Sequence, residues 1–255
     1  MERQYLESIL CESSSLEKKM GQKLSQGTNQ ENKNDILIIC DVFSQGVVYA
    51  SQKLKEYLGF EDPQSKFHPS TDTLREIFLV NFIGFCVEKG VDERITTSKM
   101  SKHQSLLFGV DWVWTLSGAD IRLQIAVQSL QMAKLSSGDQ AFEVIGSNRE
   151  AMLAEDLSGN RSRFEKLEEF CKMVGSDCLG LFIMFGVPGK PKDIRGVVLE
   201  SIKKEKRKDL SSGESALRLF VIITDSFLPT REMLEHCLSK KKGVREVGKV
   251  YINFL

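Results

Sequence analysis

Three groups of residues in this chain have the types that do chemistry, and in each the spacing decides. Gly186-Val187-Pro188-Gly189-Lys190 follows an apolar run, as a glycine-rich phosphate loop follows its strand. Such a loop needs backbone N–H groups converging on phosphates, a lysine, and a following hydroxyl to hold magnesium. Here the first glycine would fall at Met184, and Pro191 stands where the hydroxyl belongs. The pattern predicts a rigid turn instead. His68, His103 and His236 have no ligand spacing for zinc, and His236 beside Cys237 is no dyad, because neighbours on a helix point in different directions. The cysteines Cys11, Cys40, Cys86, Cys171, Cys178 and Cys237 form no C-x-x-C pair and read as reduced core residues. No carboxylate pair is set apart for acid and base roles. The residues therefore predict no catalytic group, no metal and no cofactor.

One modification pattern remains. Met20-Gly21-Gln22-Lys23-Leu24-Ser25 spells M-G-x-x-x-S, in which a glycine exposed by methionine removal is myristoylated. Gly21 is a lipidation candidate only if translation starts at Met20 or the chain is cut there. A single myristoyl chain binds membranes marginally and needs a second signal. The basic runs Lys203 to Lys208 and Lys240-Lys241-Lys242 with Arg245 could supply it through anionic lipid headgroups, although such runs are usually solvated loops.

Composition bounds the elements that must position any functional surface. The 255 residues carry 35 basic and 35 acidic side chains, so nothing draws the whole chain toward nucleic acid. A hydrophobic share of 41% with 15 phenylalanines predicts a folded protein with a substantial core. The amino terminus lacks the basic start and apolar run of a signal peptide. The longest apolar stretch, Ile77 to Val87, is interrupted by Asn81 and Gly84 and is too short to span a bilayer. A cytosolic α+β protein is expected.

Residues 1 to 34 are polar and read as a flexible tail, with residues 35 to 255 as one globular domain. Asp35 opens a predicted helix to about Leu58, with Ile39, Phe43, Val47, Ala50 and Leu54 along one stripe. A second, from Thr71 or Asp72 through Lys89, is apolar on both sides and is expected to be buried nearly all round. A third is predicted from about Thr97 to Leu116. Trp112 and Trp114 would then point about 200° apart, which leaves one of them for a partner's groove.

From Ile121 the pattern alternates and predicts a strand, followed by a poorly ordered loop over residues 134 to 160. Phe164, Leu167, Phe170, Cys171 and Val174 mark an amphipathic helix that Gly175 ends in a left-handed cap. Leu179 to Phe185 and Ile194 to Leu199 predict two strands around the proline turn. Leu217 to Thr224 predicts another strand, Pro229 to Leu238 a helix, and Val247 to Phe254 a last strand. The expected architecture is a helical amino-terminal half, residues 35 to 118, packed with a mixed or antiparallel sheet of about five strands and two helices in the carboxyl-terminal half.

Five long strings then carry a resemblance: QKLKEYLGFEDP (52 to 63), EKGVDERITTSKMSKHQSLLFGVDWVWT (88 to 115), RFEKLEEFC (163 to 171), DCLGLFIMFGVPGKPKDIRGVVLES (177 to 201) and CLSKKKGVREVGKVYI (237 to 252). Together they resemble the Rab-fifteen effector family, from Met20 to the carboxyl terminus, with the first 19 residues outside the likeness. The resemblance implies a non-catalytic effector that binds a GTP-bound Rab GTPase. It further implies regulated recycling of receptors such as the transferrin receptor, from a cytoplasmic station on early or recycling endosomes. No small-molecule substrate and no nucleic acid are implied, and a peripheral membrane contact through Gly21 gains weight.

An effector reads a switch loop that is ordered only while the γ-phosphate holds it. That task calls for an apolar patch ringed by charges. The expected partner-binding residues are Lys99, His103, Leu107, Trp112 and Trp114 on the third helix, with Pro188, Lys190 and Lys192 at the turn. Two other classes compete: a membrane-surface scaffold acting without any GTPase, and a hydrolase using Cys171 or Cys178.

Overall fold

Helix α1 (Thr28–Leu54) starts seven residues before the expected Asp35 and winds through the predicted stripe. The computed structural model describes residues 28–60, 62–64, 66–118, 122–131, 161–187, 190–206, 216–217, 220–221, 224, 227–239 and 251–254. By compactness the chain divides after Asn34, and the account below concerns Asp35–Leu255. Ile39, Phe43, Val47, Ala50 and Leu54 of α1 are all buried, because a spacing of three and four residues puts them on one face. Helix α2 (Thr71–Glu88) is started by Ser70, whose side chain accepts from the Thr73 N–H at 3.2 Å. The two helices approach closely at Gly46, where an added Cβ would lie 3.1 Å from Phe82 and 3.2 Å from Phe85. Leu74, Phe78, Leu79, Phe82 and Cys86 of α2 face inward. Burial all round does not follow, since Val80, Ile83 and Val87 point outward and are exposed.

The predicted third helix is instead strand, helix and strand: β1 (Ile95–Lys99), α3 (Lys102–Phe108) and β2 (Trp112–Ser117). Local chemistry explains the break. Ser101 and Gln104 cap each other's backbone N–H at the start of α3, and Gly109 stops it in the left-handed region at φ 67°. Only glycine fits there, because a Cβ at residue 109 would sit 2.4 Å from the Arg163 carbonyl oxygen. The aromatic and β-branched run Trp112-Val113-Trp114-Thr115 then extends into the sheet.

The described strands form one mixed sheet in the order β1-β2-β3-β4-β5-β6. Strand β3 (Arg122–Gln131) pairs antiparallel with β2 and parallel with β4 (Cys178–Val187). The parallel pairing requires a crossover, and that connection contains helix α4 (Arg163–Val174). Strands β4 and β5 (Lys190–Val198) make the expected antiparallel pair around the proline turn, and β6 (Tyr251–Asn253) lies antiparallel on β5. The fold is α+β as expected, with a helical start and a mixed sheet. Two of its strands, β1 and β2, come from the stretch expected to be helical.

Leu217 to Thr224 does not supply a strand: Ala216, Leu217, Phe220 and Val221 are helical, and the Thr224 N–H donates to the Phe220 carbonyl. A continuous apolar run fits a buried helix as well as a buried strand, so its pattern alone does not choose. Gly175 does end α4, but at φ 116° and ψ −160° rather than in the left-handed helical region. The loop expected at 134 to 160 and the start of the last strand, residues 247 to 250, lie outside the described residues.

Alternation along the strands gives the sheet two packed faces. Trp112, Trp114, Ile125, Val127, Leu181, Ile183 and Phe185 join one core with α1, α2 and helix α6 (Thr230–Ser239). Trp114 is its centre, with its ring 5.0 Å from Phe43 and 4.9 Å from Phe82. On the opposite face Phe182 stacks on Phe164 of α4 at 5.3 Å, and helix α5 (Leu199–Lys206) packs on β4 and β5.

Candidate functional site

Asp111 is the polar pivot of the interior. It sits between α3 and β2, and its Oδ1 receives the Ser105 hydroxyl at 2.7 Å and the Arg163 guanidinium at 2.8 Å. Its Oδ2 receives both the backbone N–H and the hydroxyl of Ser129, at 2.7 and 2.8 Å. Arg75 of α2 closes the set, 3.2 Å from Oδ1. Burial alone would raise this carboxyl, but Arg163, Arg75 and the Ser105 and Ser129 hydrogen bonds outweigh it and hold the group below the usual carboxylate range. Every lone pair is engaged, so the carboxylate anchors α2, α3, β3 and α4 to one another and is not poised for proton transfer. Sequence reading missed it. The available signal was an acid set inside the apolar run from Leu106 to Trp114.

The thiols give the hydrolase reading no nucleophile. Cys171 and Cys178 are both buried, and the Cys171 thiol is pushed far up, first by its hydrogen bond with Cys178 and then by burial. Burial likewise raises Cys40 to about 12 and Cys86 to about 11. Among the described residues no three His, Cys, Asp or Glu side chains are grouped to hold a metal ion, and no helix is long and apolar enough to cross a membrane.

The expected partner-binding residues divide. Trp112 and Trp114 are 0% exposed and must be struck from a contact surface. On a strand, residues two apart share a face, so both rings enter the same core where a helix would have turned one outward. Leu107 is half-buried on α3, while Lys99 and His103 are exposed. Lys190 and Lys192 are exposed at the start of β5. Pro188 and Gly21 lie outside the described residues.

The surface that meets the requirement of an apolar centre with a charged rim is the outer face of α2. Val80, Ile83 and Val87 are 66, 42 and 56% exposed and stand at helical spacing, with exposed Gly84 between them. The buried side of the same helix, Leu79 and Phe82 above all, fixes their position. At one end Lys99 of β1 bridges Glu76, and that hydrogen bond holds the Glu76 carboxyl below its ordinary value. At the other end Glu88 stands beside Lys89, whose ammonium lies 5.3 Å from the centre of the Phe85 ring. One expected residue, Lys99, thus belongs to the rim. The centre lies on the helix expected to be buried nearly all round.

A second exposed cluster forms where α1 ends. Tyr57, Phe60 and Phe67 are 47, 47 and 59% exposed, and the Phe60 and Phe67 rings meet at 6.1 Å. The loop is held by Asp62, which accepts from the backbone N–H groups of Gln64, Lys66 and Phe67 at 3.1, 2.9 and 3.0 Å. Those hydrogen bonds lower the Asp62 carboxyl. The position of a Cβ on Gly59 is 3.7 Å from both Pro191 and Lys192, which seats the loop against the start of β5. The sequence-predicted Lys190 and Lys192 therefore border these aromatics.

Comparison with known proteins places the chain in a family. A family model described as Rab15 effector matches residues 24–254. A curated mouse protein named "Rab15 effector protein" is 48% identical over 239 residues, covering 92% of this chain and 100% of the mouse chain. The chain belongs to the Rab15 effector family.

Proposed function

We propose that this chain is a non-catalytic effector that binds a Rab GTPase, Rab15 first among candidates, in its GTP form. Membership in the family supports the partner class, and the exposed Val80–Ile83–Val87 stripe between charged ends carries the reading of how it binds. A GTP-ordered switch surface is a shaped, partly apolar target, so a rigid helix face discriminates it from the loosened GDP form. In the cell this binding regulates the recycling of receptors such as the transferrin receptor. The site of action is the cytoplasmic side of early or recycling endosome membranes, with myristoylated Gly21 as an anchor in chains that start at Met20.

The test is capture of purified Rab proteins, each loaded with GTP analogue or GDP, on the immobilised full chain. Retention of Rab15 in the GTP form alone supports the proposal. Equal retention in both states, or of none, overturns it.

A further inference from the structure

We infer that the aromatic loop at the end of α1 is a lipid-contacting surface that seats this protein on anionic bilayers, independently of any acyl chain and of the GTPase. This goes beyond the GTPase reading and rests on residues that reading does not use. Tyr57, Phe60 and Phe67 project on a loop, and their neighbours are cationic: Lys53 and Lys55 on the last turn of the helical stretch, Lys66 inside the loop, and Lys190 and Lys192 on the adjoining strand. Aromatic rings at the tip with ammonium groups behind them fit the boundary between headgroups and acyl chains. There the rings sit at headgroup depth and lysines meet phosphate and carboxylate groups.

Glu56, Glu61 and Asp62 offset three of these five lysines, while Asp193 is bridged to Arg195, so the balance stays positive. Asp62 pins one side of the loop, and the start of β5 borders the other. A protein partner's apolar groove would favour balanced charge, as at the ends of α2, whereas the border here is net positive. An anionic lipid surface is the occupant that matches.

The experiment uses the full chain produced without myristoylation, sedimented with phosphatidylcholine vesicles lacking or containing phosphatidylserine, in the absence of GTPase. Binding is expected with phosphatidylserine and lost without it. Lys190→Gln together with Lys192→Gln should weaken it about thirtyfold, since each surface lysine contributes about 1 kcal/mol to binding an anionic leaflet and about 1.4 kcal/mol is tenfold. Phe60→Ser with Phe67→Ser should weaken it comparably and leave thermal stability unchanged, because both rings already face solvent. Equal sedimentation with both vesicle types, or double variants that bind phosphatidylserine vesicles like the parent, would overturn the inference. So would an aromatic variant that loses only GTP-loaded Rab15 while vesicle binding persists.

Discussion

Two apolar surfaces stand out on this protein, and they differ in every property that decides what covers them. The α2 stripe is aliphatic, regular and backed by the core through Leu79 and Phe82, with both signs of charge at its ends. The Tyr57–Phe60–Phe67 loop is aromatic, irregular and bordered mainly by lysines. A fixed helical face with a mixed rim suits a partner of one defined shape. Rings on a loop with a positive border suit a fluid, negatively charged surface that has no single shape. On the two proposals, recognition thus falls to one surface and adhesion to the other, and charge arrangement is what separates them.

The largest effect is expected from removing the carboxylate that ties α2, α3, β3 and α4 together. Asp111→Ala leaves the Arg75 and Arg163 guanidinium groups facing a cavity without their anion, and should cost about 3–5 kcal/mol of stability in denaturant unfolding. Both binding activities should fall together. Acid should act in the same way on the parent protein. The Asp111 carboxyl is lowered in the folded state, so its contribution is fully present above the ordinary carboxylate range and is lost as pH falls through the lowered value. An Asp111→Asn variant should flatten that acid limb of a stability profile, and an unchanged limb would remove Asp111 from the account.

Next in size, Ile83→Asp should reduce affinity for GTP-loaded Rab15 by about thirtyfold, the loss typical of a central interface residue, with vesicle binding unaltered. Loss of vesicle binding as well would merge the two surfaces into one. A smaller separation should come from salt. At about 1 M, where screening acts within roughly 3 Å, phosphatidylserine binding should weaken several-fold while the aliphatic stripe's affinity holds. Smallest of all, Gly84→Ala should raise stability by about 0.5–1 kcal/mol, because nothing lies within 4 Å of the added Cβ and alanine favours the helix.

Much of the architecture was legible where pattern and punctuation agreed. The α4 stripe and the buried β4 run combine periodicity with a stop signal, and each stands where the sequence placed it. Trp112 and Trp114 were misplaced because a run of apolar residues hides its period, and the break at Ser101 and Gly109 had to be weighed against that run. The stripe on α2 was lost for a related reason. A helix apolar on both sides reads as buried, whereas two helices and one sheet can cover only part of its circumference. Contact of the Phe60 loop with Lys192 joins residues more than a hundred positions apart, and no local pattern encodes it.

The most direct measurement is a titration of the purified full chain with Rab15, loaded in parallel with a non-hydrolysable GTP analogue and with GDP. The account predicts saturable binding to the GTP-analogue form that is at least tenfold tighter than to GDP-bound Rab15, a gap of about 1.4 kcal/mol or more. Equal affinity for the two forms would contradict it.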